Sequence, residues 1–148
     1  MGRIEKSIET KTSPEKVWEM LAVDRWPEWM DGWKDAQYTS EVRTPEDKYG
    51  LGASAHITEH RVGMRIKYDF QITESLKNEK ITFRSKSMGY TLVTYILESV
   101  KEGTKLTYAI DYEMPWGILG KVLDKLGRGS GEKSVEKELK KLKIILEK

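Results

Sequence analysis

The segment from residue 64 to residue 73 alternates strictly between apolar and polar side chains. Its apolar positions are Met64, Ile66, Tyr68, Phe70 and Ile72, and every position between them is charged or polar. Successive side chains of a β-strand point to opposite faces, so the pattern predicts a strand with one buried and one solvated face. Such a strand is typical of an antiparallel sheet that is covered on one side only.

The same period of two recurs on both sides of this segment. Turn residues divide the rest of the pattern, with a loop over 44–50, a tight turn at Val62–Gly63, a turn over 77–79 and a hairpin closing at Gly103. Consecutive strands with short connections pair with one another, so a sheet of about seven strands is predicted, the last six as an antiparallel meander. The other predicted strands are 3–12, 33–42, 52–61, 80–88, 90–100 and 104–114.

Helical signals are confined to two places. Ser13 and Pro14 suit an N-cap and a first helical position, and Pro27 interrupts the helix that follows, so two short helices are predicted before Gly32. After Pro115 the apolar spacing changes to three and four residues, which predicts one long C-terminal helix. Its apolar stripes are Trp116, Leu119, Val122, Leu123 and Leu126, then Val135, Leu139, Leu142, Ile145 and Leu146.

Together these elements predict a single α+β domain over residues 1–148. A curved antiparallel sheet wraps around the C-terminal helix, which is the only element long enough to cover its apolar face. A helix about 10 Å wide does not fill a broad concave face, so we expect a gap between the two. This gap is the candidate pocket.

The composition excludes several classes of function. No cysteine is present, which rules out disulfides, thiolate metal sites and a cysteine nucleophile. The 26 basic and 24 acidic residues are interspersed, so no nucleic-acid partner is expected. Because no apolar signal segment or stretch of ~18 apolar residues occurs, we expect a cytoplasmic protein without stable membrane insertion. A monomer or weak homodimer is expected.

The order of elements and several motifs resemble the START-like superfamily, which has the helix-grip fold of the birch-pollen allergen-like proteins. The chain looks most like its polyketide cyclase/dehydrase and lipid-transport branch. The resemblance implies the fold strongly, but members bind lipids, sterols, quinones, plant hormones or polyketides, and only some catalyse a reaction. The motifs are residues 13–18 (SPEKVW), 26–29 (WPEW), 103–107 (GTKLT), 111–120 (DYEMPWGILG), 139–143 (LKKLK) and 146–147 (LE).

Aromatic side chains concentrate where this fold faces its cavity. Ligand pockets are mostly apolar and aromatic, although the same residues also fill an ordinary core. As a group they favour a pocket, because tyrosine hydroxyls facing a sealed core need partners that a cavity supplies. The predicted lining is Trp26, Trp29, Trp33, Ile57, Tyr68, Phe70, Phe83, Tyr95, Tyr108, Tyr112, Trp116, Leu119 and Leu123.

Two histidines lie on the third predicted strand. His56 and His60 share one face but are about 13 Å apart, too far to share a metal ion. Their neighbours on that face are polar, so we expect both on the outer face unless a bulge shifts the register. Asp69 and Arg84 are also expected outside, in cross-strand pairs.

Few other titratable groups are expected to face inward. Glu59 and Arg61 share the parity of Ile57, which could bring them to the inner face, whereas Asp111 and Glu113 are expected in solvent. No catalytic triad, metal-ligand set or dinucleotide fingerprint is recognisable, so no metal and no cofactor are expected.

The glycine-rich run 127–131 separates the two stripes of the terminal helix. Each glycine costs up to about 1 kcal/mol relative to alanine, so the run should weaken, bend or break the helix. It is not a phosphate loop, because that motif follows a strand and is followed by Lys and Ser or Thr. We hypothesise that it gates access to the pocket, so that Gly129→Ala and Gly131→Ala slow ligand exchange.

Three functions remain open at this point. The first is binding or transport of a hydrophobic small molecule such as a lipid, isoprenoid, quinone or polyketide-like compound. The second is an aromatase/cyclase-type enzyme whose Tyr, Arg or His groups manage protons, against which the scarcity of inward-facing titratable groups counts. The third is a protein-interaction or chaperone-regulator module, which predicts a large exposed apolar patch and a filled cavity.

Overall fold

The fold is built on one antiparallel sheet. The computed structural model describes residues 2–61, 63–87, 89–113 and 117–148, without the side chains of residues 61 and 117–130. Across the sheet the strands run in the order β1-β7-β6-β5-β4-β3-β2. The predicted meander is confirmed, and β1 extends it by pairing with β7. The strands are β1 (Gly2–Thr10), β2 (Trp33–Tyr38), β3 (Ser54–Arg61), β4 (Met64–Leu76), β5 (Lys80–Ser85), β6 (Tyr90–Val100) and β7 (Gly103–Glu113).

Helices flank the sheet at both ends of the chain. The two predicted short helices are α1 (Pro14–Glu19) and α2 (Trp26–Trp29), and the long C-terminal helix is α3 (Gly117–Leu146). Ser13 caps α1 as predicted, because its hydroxyl accepts a hydrogen bond from the backbone N–H of Lys16 at 3.4 Å. The α+β class and the helix-grip architecture are confirmed. Among the described residues, no helix is both long enough and apolar enough to cross a membrane.

Of the three effects expected of the glycine-rich run, a break does not occur, since the backbone stays helical across residues 127–131. A cost of about 1 kcal/mol per glycine is smaller than the gain from burying Val135, Leu139 and Leu142 further along the helix. One glycine has a packing role. A Cβ atom on Gly131 would lie 2.8 Å from Cδ1 of Ile4, so its absence lets α3 approach β1 closely.

Strand β4 follows the predicted alternation from Ile66 onwards, whereas Met64, expected on the buried face, is exposed. Phe70 and Ile72 are buried, while their neighbours Asp69 and Gln71 are exposed. We call the face that carries Phe70 and Ile72 the inner face, since α2 packs against it and Glu138 of α3 approaches it. A bulge between Ile72 and Glu74 shifts the register with β5, and the pairing then continues to Leu76.

Strand β2 is shorter than predicted and irregular. Its pairing with β3 shifts between Lys34 and Gln37, where Asp35 has a positive φ of 58°. At its start Gly32 has a φ of 82°, and a Cβ atom there would lie 2.6 Å from the carbonyl oxygen of His60. Only glycine fits this close approach without strain. The strand resumes after the irregularity and ends at Tyr38 instead of residue 42, where the N–H groups of Thr39 and Ser40 both donate to the Ser54 carbonyl oxygen.

Candidate functional site

Helix α2 presses two tryptophans against the inner face of the sheet. Trp26 contacts Phe70 and Phe83 edge-on, with ring centroids 5.2 and 5.0 Å apart. Trp29 contacts Tyr95 and Tyr108, both at 6.0 Å. These edge-to-face arrangements are the ones that aromatic pairs prefer.

The same two tryptophans are held in place by hydrogen bonds. Their indole N–H groups donate to the carbonyl oxygens of Leu21 and Met20, each at 2.9 Å. A buried indole N–H normally needs such a partner. The two rings are therefore held in place against the side chains of strands β4 to β7.

Polar groups are buried among these rings. Glu59 on β3 is 6% exposed and Glu138 on α3 is 7% exposed. The Tyr68 hydroxyl donates to a Glu59 carboxylate oxygen at 3.5 Å, a long hydrogen bond. We call Glu59, Tyr68, Tyr95, Tyr108 and Glu138 the interior polar cluster.

The two buried tyrosines of the cluster keep their protons. Burial raises the pKa of Tyr108 well above its ordinary value, and the charge of the nearby Glu138 raises it further. Burial likewise raises the pKa of Tyr95, with further contributions from Tyr108 and Glu138. Both phenols thus stay protonated at neutral pH.

Comparisons with known proteins identify the family of this chain. A family model described as polyketide cyclase / dehydrase and lipid transport matches residues 1–147. The chain belongs to this family. No curated protein matches the chain closely enough to count as a relative.

Several solved structures share the fold of this chain at low sequence identity. A START superfamily protein from Mycobacterium smegmatis is 16% identical with a TM-score of 0.76, and the match covers 98% of this chain and 97% of that one. A Thermus thermophilus protein has the same identity and TM-score, with 96% and 94% covered. A Rhodobacter sphaeroides protein is 21% identical with a TM-score of 0.68, with 97% and 90% covered. At these identities the likeness shows the fold alone.

The predicted lining residues divide by how deeply they are buried. Trp26, Trp29, Ile57, Phe70, Phe83, Tyr95 and Tyr108 are buried, while Trp33, Tyr68 and Tyr112 are half-buried and pack against that core. Trp116 lies outside the described residues, as do the side chains of Leu119 and Leu123. Ligand contact by any of these residues remains a prediction.

Glu138 was missed in the sequence analysis, although its spacing carried the signal. Val135, Leu139 and Leu142 are buried on α3, and Glu138 lies three residues after the first of them. Residues three and four apart share one face of a helix, so Glu138 had to face the sheet. Glu59 is also inside, as its parity allowed, so two buried carboxylates lie among the described residues. The Arg61 side chain is not among those that the structure describes.

The remaining charged candidates lie on the outer face, as predicted. His56 pairs with Asp69 across β3 and β4, and the backbone N–H of Asp69 donates to the Ser87 hydroxyl. Arg84 donates to the Gln71 side chain at 3.4 Å. His60 lies 3.9 Å from the carboxylate of Asp35, beyond hydrogen-bonding distance.

A narrow crevice lies near the β2 edge and contains no member of the interior polar cluster. The space between Val23, Lys48 and strands β2 to β5 is too narrow to hold a water molecule. Pockets for drug-sized ligands usually have at least about 300 Å³. Lys48 is moreover bonded to Asp24 at 2.6 Å. This crevice is therefore a poorer candidate than the sheet–α3 interface.

Proposed function

We propose that the protein binds a hydrophobic small molecule, such as a lipid, isoprenoid, quinone or polyketide-like compound, between the inner face and α3. The observation that carries this proposal is the interior polar cluster within an aromatic, apolar surrounding. Ligand pockets combine apolar walls with a few convergent polar groups that orient the ligand. Membership of a family described by polyketide cyclisation and lipid transport supports the same class of ligand.

Stability alone is a poor reason for the two buried carboxylates. Taking a carboxylate out of water costs several kcal/mol, and hydrogen bonds offset that cost only in part. Apolar residues of similar size at Glu59 and Glu138 would fill the same space at less cost. Polar groups that reduce stability in this way are expected where a site must recognise something.

A catalytic role is the second candidate, and the same residues favour it. Carboxylates and tyrosines can move protons to and from a bound substrate when they lie within hydrogen-bonding reach. Glu138 beside Tyr108 and Glu59 beside Tyr68 are such pairs. An aromatase/cyclase-type reaction would use these groups on an apolar substrate.

The test is native mass spectrometry of the protein purified from its own host, compared with the denatured mass. We expect a reproducible bound compound, which organic extraction then identifies. Protein that is empty in repeated preparations, and that takes up no apolar compound when offered a panel, contradicts the proposal.

A pair of matched variants locates the site. Glu138→Gln keeps the size of a buried side chain and removes its charge, whereas Glu136→Gln makes the same change on the exposed side of α3, where Glu136 pairs with Lys6. We expect the first to change the amount of bound compound and the second to leave it unchanged. Turnover of the bound compound by the wild type, lost in Glu138→Gln, selects the catalytic alternative.

A further inference from the structure

The hairpin of β3 and β4 reaches past the strand beside it. Pairing between β4 and β5 begins at Phe70, opposite Ser85, whereas pairing between β4 and β3 continues to Met64. At ~3.4 Å per residue, residues 64–69 extend about 20 Å beyond the end of β5. We call residues 56–61 and 63–69 the hairpin arm.

The inner side of the hairpin arm loses its cover toward the tip. Phe70 next to its base is buried, Ile66 and Tyr68 are half-buried, and Met64 at its end is 56% exposed. A lone exposed apolar side chain is ordinary on a protein surface. The charges around Met64 therefore decide what its exposure means.

The outer side of the hairpin arm carries exposed cations. Arg65 and Lys67 are exposed on β4. Lys67 pairs with Thr58 of β3, and Thr58 pairs with Lys34 of β2, so the two lysines lie in one row across three strands. Among the residues that the structure describes, no carboxylate forms an ion pair with any of these three cations.

Two exposed carboxylates near the hairpin arm offset this charge only in part. Asp69 pairs with His56 at the base of the arm, and Asp35 lies 3.9 Å from His60. The half of the arm nearer the tip therefore has a net positive surface, because three cations face one exposed carboxylate there.

The opposite end of β4 provides a contrast. Leu76 is 54% exposed there, much as Met64 is, but Lys77 and Glu79 in the adjoining turn have opposite charges. An exposed apolar side chain beside unpaired cations thus occurs at the hairpin arm and not at the β4–β5 turn.

An anionic lipid surface is the partner with matching chemistry. Each basic residue close to such a surface strengthens attachment about 5-fold, and an apolar side chain adds to it by entering the boundary between headgroups and acyl chains. An acidic protein would attract the same cations, but a stable protein interface needs roughly 1,000 Å² of complementary surface, which the tip of one hairpin does not offer.

We propose that the hairpin arm docks the protein reversibly on an anionic membrane, with Met64 entering the lipid and Lys34, Arg65 and Lys67 facing the headgroups. This inference goes beyond the proposed function, since it concerns a surface and does not depend on which compound is bound.

Sedimentation with sucrose-loaded vesicles measures the attachment. Vesicles of phosphatidylcholine with a third phosphatidylglycerol should bind the wild type roughly 100-fold more strongly than phosphatidylcholine alone, the product of three cations. Arg65→Glu turns an attraction into a repulsion and should lower this binding roughly 25-fold, and Arg65→Gln about 5-fold. Lys101→Glu changes the net charge as Arg65→Glu does, but at an exposed position of the β6–β7 turn, and should lower binding less than about 2-fold.

A label at the tip tests the insertion of Met64. The chain has no cysteine, so Met64→Cys and Leu76→Cys each provide a single site for an environment-sensitive nitrobenzoxadiazole dye. With anionic vesicles, we expect the emission of the dye at position 64 to rise and shift to the blue. The dye at position 76 should not respond. Circular dichroism checks that the variants keep the fold, which we expect because all the substituted side chains are exposed.

The opposite results overturn the inference. Equal binding to neutral and anionic vesicles, or equal losses in Arg65→Glu and Lys101→Glu, would show an attraction unrelated to the hairpin arm. Absence of binding to both vesicles would mean that the arm has no membrane to meet, as an acidic protein partner requires. A response at position 76 and none at position 64 would place the lipid contact at the other end of β4. The proposed function stands in each case, because none of these results concerns the internal ligand.

Discussion

Both faces of strands β3 and β4 carry titratable side chains, which are exposed on the outer face and buried on the inner face. On the outer face, His56 pairs with Asp69, whose side chain is 68% exposed. On the inner face, Glu59 is 6% exposed and accepts a hydrogen bond from Tyr68. Exposed pairs contribute about 0–1 kcal/mol because water screens them, whereas buried polar groups are costly to misplace. The presence of buried titratable groups on the inner face is therefore what calls for a functional explanation.

The first prediction tests whether stability resides in the inner face. Trp26→Ala removes a ring that packs on Phe70 and Phe83 and should lower the free energy of unfolding by about 3–5 kcal/mol. Lys67→Ala on the exposed outer face of β4 should change it by less than about 0.5 kcal/mol. Urea denaturation measures the free energy of unfolding of each variant. Similar losses in the two variants would contradict the claim that the inner face provides most of the stability.

The second prediction concerns alkaline pH. Tyr95 and Tyr108 have raised pKa values in the folded protein, and burial raises the pKa of Tyr49 to about 12. The unfolded chain loses these protons near pH ~10, so stability is fully present below that pH and falls as the pH rises above it.

Absorbance at 295 nm and far-ultraviolet circular dichroism, recorded over the same titration, measure this behaviour. Ionisation of these tyrosines should coincide with unfolding, and Tyr95→Phe should reduce the slope of stability against pH above about 10. Ionisation of all seven tyrosines near pH ~10 in a chain that remains folded would show that the inner face is open to water.

The third prediction concerns acid. Glu147 joins the end of α3 to β1, because its carboxylate accepts hydrogen bonds from the Thr10 hydroxyl and the Lys11 backbone N–H at 2.9 and 3.2 Å. These bonds hold the pKa of Glu147 below its ordinary value of 4.5. Its contribution to stability is therefore present above pH 4.5 and is lost as the pH falls below it. Urea midpoints of wild type and Glu147→Gln should differ at pH 6 and converge at pH 3, and a constant difference would refute the linkage.

The smallest effect is expected on the outer face. Asp69→Asn removes the partner of His56 and should lower the free energy of unfolding by less than about 1 kcal/mol, as for other exposed polar pairs. Binding of any apolar ligand should be unchanged. A large loss of either would place a functional group outside the sheet–α3 interface.

Periodicity predicted the parts of this fold that depend on local patterning. The alternation over β4 and the inward parity of Glu59 followed directly from the sequence. Glu138 was missed because only apolar residues were counted as members of the buried face of α3. The early end of β2 could not be predicted, because the double hydrogen bond from Thr39 and Ser40 to the Ser54 carbonyl oxygen forms only when β2 and β3 pair. The grouping of Tyr95 with Tyr108 and Glu138 likewise forms only once β6, β7 and α3 have come together. Gating by the glycine-rich run stays a prediction.

The most direct measurement of the central claim is a ¹H–¹⁵N spectrum recorded while the compound recovered from the protein is added. The indole N–H signals of Trp26 and Trp29 report on the inner face next to Tyr95, whereas that of Trp18, which stacks on Tyr49, reports on the packing of α1. We predict that the Trp26 and Trp29 signals shift in a saturable manner while the Trp18 signal stays unchanged. A shift confined to Trp18, or saturable binding that moves none of the three, would contradict a ligand site between the inner face and α3.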